Sequence, residues 1–346
     1  MRSEIAEQPS RWTDLIRSQR ADITAAAALL TSTQPELLVF VARGSSDHAA
    51  MYGQYLAHNL LQIPALLSTP STVTAFGTAL RYPRSVMIAV SQSGESPDLL
   101  DTVVSGKRGD LPIIALTNND SSTLAGISDI HVMLSAGEEI SVAATKTYTA
   151  ELLGLYALFS LASGVSWEAI EDRLALAVKV ATSIVADMGP EVSHLTETIN
   201  GSDRVLVVGR GYSMSSAKEG ALKLMETNAL AASGWSAADA THGPLGQVIP
   251  GTPVILLTAS RAGRESVETF GAAAEALGGR TITIGVPNAE FAGSALLANI
   301  NWEAVDAGLI PLLEIIPIQF LALELALKRG KNPDQPTGLS KVTKTF

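Results

Sequence analysis

Short, mainly apolar runs alternate along this chain with longer segments in which apolar residues recur at helical spacing. Runs of this length predict buried strands, and they occupy residues 37–42, 86–90, 112–117 and 130–134. A helix is expected after each of the first three runs, and the first of these helices ends near Leu61. Residues 147–162, rich in Leu and Ala, predict a long helix. Such alternation predicts an α/β fold, with a parallel sheet flanked by helices on both faces.

The same pattern repeats about half a chain later. The stretch VFVARGSS at 39–46 matches LVVGRGYS at 206–213, and two later apolar runs recur at nearly the same shift. Two similar α/β units in tandem explain this repeat better than one long sheet. We expect five successive parts: a helical segment (1–36), a first unit (37–166), a helical connection (167–197), a second unit (198–329) and a tail (330–346).

A serine-rich turn follows the second predicted strand. Residues 91–96 read SQSGES, and Pro97 begins the next predicted helix. Backbone N–H groups and the positive end of a helix dipole meet at such a turn and favour an anion, above all a phosphate. Because the carboxyl ends of parallel strands share one edge, Gly44, Ser45 and Ser46 would lie beside this turn. Simple helix capping by the serines is the alternative, and the matching turn of the second unit (ASRA, 259–262) lacks the pattern.

Composition narrows the class of protein. The chain has 346 residues, and 47% of them are hydrophobic, which is enough for two cores. Its net charge is −10 and it has no Lys/Arg-rich run, which argues against nucleic acid and anionic membranes as partners. The absence of Cys excludes disulfides and thiolate chemistry and fits a cytoplasmic protein. Residues 1–7 lack the apolar core of a signal peptide. The apolar stretch 310–327 contains Glu314 and Glu324, which favours a buried helix over a membrane span.

Several short segments occur in an order that is typical of one family. They are EIAEQP (4–9), GSS (44–46), SQSGES (91–96), VAATK (142–146), EGALKLME (219–226), HGP (242–244), DQP (334–336) and LSKVT (339–343). On these segments the chain resembles double sugar-isomerase (SIS) domain proteins. It is similar to the isomerase half of glucosamine-6-phosphate synthase and to the related deaminases. The resemblance implies two tandem SIS domains.

The resemblance also implies a role for particular residues. The sugar phosphate and nearby hydroxyls are expected to contact Gly44, Ser45, Ser46, Ser91, Gln92, Ser93 and Ser96, with Val142 and Ser340 contacting the sugar. Glu226 matches the carboxylate that moves a proton between C1 and C2, and Lys223 lies one helical turn before it. His242 matches the ring-opening histidine, which in the family comes from the neighbouring subunit of a dimer. Lys341 matches the tail lysine that forms an imine with an open-chain ketose phosphate.

The chemistry of these residue types agrees with those roles. A carboxyl whose pKa is raised by burial can act as the base of a proton shuttle, and His can supply acid and base near neutral pH. Glu219, Lys223 and Glu226 share one helix face because they are spaced by four and three residues. For Glu219 an ordinary surface pair with Lys223 is the favoured interpretation. No cofactor and no metal are expected.

The departures from the family pattern bear on the activity. Ala144, Ser233 and Thr337 stand where synthase-like members carry Ser, Glu and Arg. No glutaminase segment precedes the first unit, and there is no Cys to serve as its nucleophile, so a complete synthase is not expected. A deaminase that converts glucosamine 6-phosphate to fructose 6-phosphate and ammonia is preferred. A phosphosugar isomerase and a deglycase for phosphorylated fructose–amine adducts are the enzymatic alternatives.

A sugar-phosphate sensor is the alternative from a different class. Regulators built on this domain carry a basic helix-turn-helix segment. The residues before the first predicted strand are expected to lack both a basic face and a second helix. The sensor is therefore less favoured than an enzyme that uses Glu226, His242 and Lys341.

Overall fold

The computed structural model describes residues 1–341, apart from the side chains of Pro190 and His194. The predicted tail residues 342–346, including Val342 and Thr343, lie outside this part. The chain divides into two compact units. The amino-terminal unit contains Glu7–Glu139, Lys146–Leu174 and the tail from Ser340, and the carboxy-terminal unit contains Met1–Ala6, Ile140–Thr145 and Ala175–Leu339.

The amino-terminal unit is a five-stranded sheet with helices. In chain order its elements are α1 (Arg2–Ser18, which begins in the other unit), α2 (Arg20–Thr33), β1 (Leu37–Val41), α3 (Ser45–Leu56), a π-helical turn (Ala57–Leu61), β2 (Ala65–Leu67), α4 (Ser71–Thr74), β3 (Ser85–Ser91), α5 (Pro97–Arg108), β4 (Ile113–Thr117), α6 (Thr123–Ile127), β5 (Ile130–Met133) and α7 (Lys146–Ala162). All strands are parallel, in the order β2-β1-β3-β4-β5. The predicted parallel sheet is therefore confirmed.

A single long helix, α8 (Trp167–Asn200), occupies the predicted helical connection. The carboxy-terminal unit then follows with β6 (Arg204–Gly209), α9 (Ser213–Asn228), β7 (Ala231–Ser236), α10 (Ala237–Ala240), a 3-10 turn (Pro244–Gln247), β8 (Pro253–Leu257), α11 (Arg264–Ala276), β9 (Arg280–Ile284), β10 (Ser294–Leu296), a second 3-10 turn (Trp302–Ala304) and α12 (Ile310–Lys328). Its parallel sheet has the order β10-β9-β8-β6-β7. Read backwards, this order is that of the first sheet, which confirms the tandem repeat.

The central strands owe their position to continuous apolar sequence. Every residue of β3, β4 and β8 is buried. In the first sheet Val39, Met87 and Ile113 lie in one cluster with α5, and Leu206, Val254 and Phe270 lie in the corresponding cluster of the second sheet. Full burial of one such side chain contributes roughly 1.5–3 kcal/mol, so these clusters fix the strands whose ends carry the loops described below.

The apolar stretch near the end of the chain is the buried helix α12, as predicted. It is long and apolar enough to cross a membrane, but 89% of its most apolar window is buried inside the protein. Pro311 lies in its first turn, where a missing N–H costs no hydrogen bond. Packing within the carboxy-terminal unit therefore accounts for its apolar side chains.

The expectation that the first residues lack a second helix is wrong. Two helices, α1 and α2, precede β1, and only Gln19 separates them. Both are held by packing, because Trp12, Leu15 and Ile23 are fully buried. The Trp12 indole N–H also donates to Thr149 Oγ1 on α7 at 3.0 Å. These helices belong to the packed fold, and neither carries a basic run.

Candidate active site

The serine-rich turn joins the end of β3 to α5 and is folded on itself. Ser91 Oγ accepts the N–H of Gly94 at 3.1 Å, and Ser93 Oγ accepts the N–H of Glu95 at 3.3 Å. Gly94 has a φ of +68°, and a Cβ there would lie 2.4 Å from Ser122 Oγ, so the turn requires glycine. Ser96 occupies the N-cap position of α5, but its side chain makes no capping hydrogen bond. Helix capping therefore does not explain Ser96.

The turn between β1 and α3 carries the other predicted phosphate contacts. Gly44, with a φ of +59°, is the N-cap residue, so Ser45 and Ser46 are the first helical residues and not caps. Ser46 Oγ donates to Glu151 Oε1 at 2.6 Å inside the core. The hydroxyl proton of Ser46 is thus engaged within the protein, whereas Ser45 is half-buried at the loop.

Adjacent strands bring the two turns to the same edge of the sheet. Val41 at the end of β1 pairs with Ala89 near the end of β3, and both strands run in the same direction. The turn at 44–46 and the turn at 91–96 therefore leave the sheet side by side, as the sequence predicts.

A cavity of about 560 Å³ opens at this edge. It brings together three of the predicted site residues, Gln92, Ser93 and Lys341, because the tail returns to the amino-terminal unit. Its other lining residues are Glu95, Asn118, Asn119, Met133, Gly137, Glu138 and Glu139. The serine-rich turn and the candidate imine-forming lysine thus line one cavity.

The sequence reasoning missed the asparagines and acids of this cavity. Asn118 and Asn119 directly follow β4, and Glu138 and Glu139 follow β5, the next strand along the sheet. Asn118 links the neighbouring loops, since its backbone N–H donates to Gln92 O at 3.0 Å and its side chain donates to Gly137 O at 2.8 Å. The signal was available: polar residues at the carboxyl ends of consecutive parallel strands mark a ligand site.

A buried carboxylate holds Lys341 in the cavity. Lys341 Nζ lies 3.2 Å from Glu139 Oε2, and the side chain of Glu139 is 0% exposed. The other oxygen, Glu139 Oε1, accepts the N–H of Thr147 at 3.2 Å near the start of α7. By contrast, Lys146 pairs with Glu7 at 2.9 Å. The side-chain hydrogen bond from Lys146 lowers the pKa of Glu7, so Lys146 has a structural contact in this unit.

In the carboxy-terminal unit, α9 carries a buried cluster of three charges. Lys223 Nζ lies 3.2 Å from Glu219 Oε1 and 2.7 Å from Glu226 Oε2. The interpretation of Glu219 as a surface residue is wrong, because its side chain is 0% exposed. Glu219 and Lys223, one turn apart on α9, are both fully buried.

The two acids decide the charge of this lysine. Burial alone would lower the pKa of Lys223, but the charges and hydrogen bonds of Glu219 and Glu226 outweigh it and raise that pKa well above its ordinary value. Lys223 is therefore a fixed cation, which suits it to orient a carboxylate and not to act as a nucleophile. The Glu226 side chain is 20% exposed, so it is the member of the cluster that solvent reaches.

The remaining predicted residues lie in loops. His242 is exposed in the turn after α10, where its N–H donates to Asp239 O at 3.0 Å. The N–H of Val142 donates to Asp334 O at 3.0 Å, which joins the VAATK and DQP segments within the carboxy-terminal unit. Ser340 is exposed beside Lys341. The predicted residues thus form a cavity group and a buried cluster in different units, with His242, Val142 and Ser340 in loops.

The second copy of the serine-rich turn has different chemistry. Arg264 Nε donates to Thr258 O at 2.8 Å, and its Nη2 donates to Ala259 O at 3.1 Å. The carbonyl oxygens of this turn therefore face an arginine of the protein itself. Carbonyl groups offer no hydrogen-bond donor to a phosphate.

Comparisons with known proteins agree with the architecture of two similar units. A sequence model of the SIS domain family matches residues 33–161 and 198–329. The glutamine–fructose-6-phosphate aminotransferase (isomerizing) of Thermococcus kodakarensis is 31% identical over 348 residues, which cover 99% of this chain and 57% of that protein. This chain therefore spans little more than half the length of that relative.

Two solved structures share the whole architecture. The C-terminal domain of glucosamine-fructose-6-phosphate aminotransferase from Francisella tularensis has a TM-score of 0.81 and 25% identity, over 96% of this chain and 97% of that one. Glucosamine-6-phosphate deaminase from Thermotoga maritima has a TM-score of 0.74 and 21% identity, over 97% of this chain and 100% of that one. At 21% identity, the similarity to the second structure shows only that the two chains share a fold.

Proposed function

Because this chain belongs to the SIS domain family, we propose that it is a phosphosugar-processing enzyme and, specifically, an amino-sugar-phosphate deaminase. Its proposed reaction converts glucosamine 6-phosphate and water to fructose 6-phosphate and ammonia. The family supports the phosphosugar class. The choice of an amino sugar rests on the residues that line the cavity.

The composition of the cavity is the observation that carries the proposal. Gln92 and Ser93 offer amide and hydroxyl donors, whereas Glu138 offers an exposed carboxylate, since the carboxylate of Glu139 is already paired with Lys341. An amino-sugar phosphate carries an anionic phosphate and a cationic ammonium, so it matches donors and a carboxylate within one cavity. A sugar phosphate without the amine would offer no positive charge to Glu138.

The proposed chemistry is a proton transfer followed by hydrolysis. Glu226 takes the C2 proton of the open-chain aldehyde and returns it to C1. The aldehyde oxygen gains a proton and becomes the C1 hydroxyl, while the C2 amine loses a proton and becomes an imine. Water then adds to C2 and ammonia leaves, which gives the ketose phosphate. Lys223 orients Glu226, and Lys341 is the amine that forms an imine with the ketose product.

We also propose the setting in which this reaction takes place. His242 is exposed, and we assign it to ring opening in the site of a second copy of this chain, in a cytoplasmic homodimer. Ser45, Ser91 and Ser96 are assigned to the phosphate, and Val142 and Ser340 to the sugar. Ser46 is assigned a structural role beside the phosphate, because its hydroxyl donates its proton to Glu151.

The test is to incubate the protein with glucosamine 6-phosphate and to assay ammonia and fructose 6-phosphate separately. Equal amounts of both products are expected. Isomerised sugar without ammonia would replace the deaminase with an isomerase. If glucosamine 6-phosphate, fructose 6-phosphate and phosphorylated fructose–amine adducts all remain unchanged, the protein is not an enzyme of this class.

A further inference from the structure

An ion pair joins the two turns of the proposed phosphate site. Arg43 lies two residues after the end of β1 and precedes Gly44, and Asp98 is the second residue of α5. Arg43 Nε and Nη2 both donate to Asp98 Oδ2, at 2.9 and 2.6 Å. One turn of the site is therefore held to the helix that begins at the end of the other.

The burial of the pair is uneven. The Asp98 side chain is 7% exposed, whereas that of Arg43 is 42% exposed. Charge-assisted hydrogen bonds are stronger and more directional than neutral ones, and a guanidinium donates two of them in a fixed geometry. A change at Arg43 would therefore leave a buried carboxylate without this partner at the first turn of α5, and the turn at 91–96 would lose its anchor.

The repeat provides an internal comparison. Arg210 occupies the matching position after β6. Within the part of the chain that the structure describes, its Nη1 donates to Ser236 Oγ on β7 at 3.1 Å, and it has no ion pair. Among the described residues, Arg43 is thus tied to the helix after the serine-rich turn, whereas its counterpart Arg210 has no such ion pair.

We propose that Arg43 is a positioning residue for the phosphate site, which acts through Asp98 and sets the separation of the two turns. The inference rests on the proposed function, since it assumes that a phosphate binds there. It differs from a role as a direct phosphate ligand. In the positioning role Asp98 is needed for binding, whereas in a direct role Asp98 competes with the phosphate for the guanidinium.

Asp98→Asn separates these two roles. We would titrate the wild-type protein, Arg43→Gln, Asp98→Asn and the double variant with inorganic phosphate and with glucosamine 6-phosphate by calorimetry. Arg210→Gln is the matched control from the other repeat. Circular dichroism and thermal unfolding would show which variants are folded, and Arg43→Lys, which keeps the charge but loses the two-donor geometry, serves if Arg43→Gln does not fold.

Loss of one hydrogen bond to a charged ligand weakens binding about 10- to 100-fold. We therefore expect both single variants to bind each ligand about 10- to 100-fold more weakly, the double variant to be no worse than either, and Arg210→Gln to bind normally. In turnover, KM should rise by the same factor while kcat changes much less. Arg43→Lys should fall between the wild type and Arg43→Gln.

Other binding results would contradict either the positioning role of Arg43 or the phosphate site itself. If Arg43→Gln weakens binding but Asp98→Asn keeps or tightens it, Arg43 is a direct ligand and the positioning role is wrong. Normal binding by both folded variants also overturns the inference and leaves the proposed function intact. If the wild-type protein binds neither ligand, the phosphate site itself is wrong, and the proposed function and the inference fail together.

Discussion

Lys223 is the residue whose environment is most distinctive. Its ammonium is fully buried between Glu219 and Glu226 on α9. Removal of one partner from a buried ion pair costs more than removal of both, because a charge is left without compensation. The cluster therefore has consequences for stability that can be separated from any role in catalysis.

We expect Lys223→Met to lower the free energy of unfolding by about 3–5 kcal/mol, because Glu219 would remain buried without its cation. The double variant Glu219→Gln/Lys223→Met should recover a large part of this loss. Urea unfolding of the three proteins measures both effects. A double variant less stable than Lys223→Met would contradict this view of the cluster.

Glu226 is the solvent-accessible acid of the cluster, so its substitution tests the proton shuttle. Glu226→Gln keeps the shape but cannot take a proton, and turnover should fall by a factor of about 10²–10⁴. Binding of glucosamine 6-phosphate should change little. Glu265→Gln, on the exposed first turn of α11, is the matched control, and near-normal turnover of Glu226→Gln would remove Glu226 from the mechanism.

At the scale of elements, apolar runs predicted the central strands, whereas shorter or more polar elements were not predicted. β7 has the sequence AASGWS and is a strand because of tertiary packing: a Cβ on Gly234 would lie 2.3 Å from Ala217 O on α9. The break between α1 and α2 contains neither Gly nor Pro, which left no local signal. The burial of Glu219 was missed for a similar reason, since spacing shows which residues share a face but not whether that face is covered.

In each repeat, a serine–glutamate hydrogen bond joins two helices, and the comparison of the two halves of the sequence did not reveal it. Ser46 of α3 donates to Glu151 of α7, and Ser213 of α9 donates to Glu314 of α12 at 3.1 Å. In each unit the helix after the first strand is thus bonded to the last long helix. Both acids are buried.

Glu314 should make stability depend on pH. Burial raises its pKa to about 7 from an ordinary 4.5, although hydrogen bonds from Ser216 and Ser213 oppose the shift. The folded protein therefore binds this proton more tightly than the unfolded chain. Its stabilising contribution is complete below pH 4.5 and is lost as the pH rises through about 7, with a total change of about 3 kcal/mol.

Urea unfolding between pH 5 and 8 measures this contribution. Relative to wild type, Glu314→Gln should become the more stable protein as the pH rises, because its side chain stays neutral. Glu324→Gln, on the same helix but at a partly exposed ion pair with Arg2, should keep the wild-type pH slope. An unchanged slope in Glu314→Gln would show that this carboxyl does not titrate in that range.

At the scale of the whole molecule, the two units share a topology but not a chemistry. The turn after β3 offers hydroxyls, whereas the turn after β8 directs two carbonyl oxygens toward Arg264. The sequence already distinguished the turns, since SQSGES and ASRA differ in their serines. It could not reveal that Glu139 and Asn118 line the same cavity as Lys341, because that depends on the strand order and on the return of the tail.

This asymmetry predicts different responses to the same substitution. Ser93→Ala should weaken binding of glucosamine 6-phosphate about 10- to 100-fold, since a hydrogen bond to a charged group contributes roughly 1.5–3 kcal/mol. Ser260→Ala, in the turn of the other unit, should leave binding unchanged, because its hydroxyl donates to Ala262 O. Calorimetric titration compares them, and equal losses would contradict a single phosphate turn.

The return of the tail to the amino-terminal unit has a consequence for biosynthesis. Lys341 contacts Glu139, although Ala175–Leu339 belong to the other unit. A ribosome makes the chain from its amino end, so the first sheet can form early. The cavity of this sheet lacks one of its lining residues until Lys341 has been made. The cavity is therefore completed only after both sheets have been synthesised, and a nascent chain halted within the second sheet would carry the serine-rich turn without Lys341.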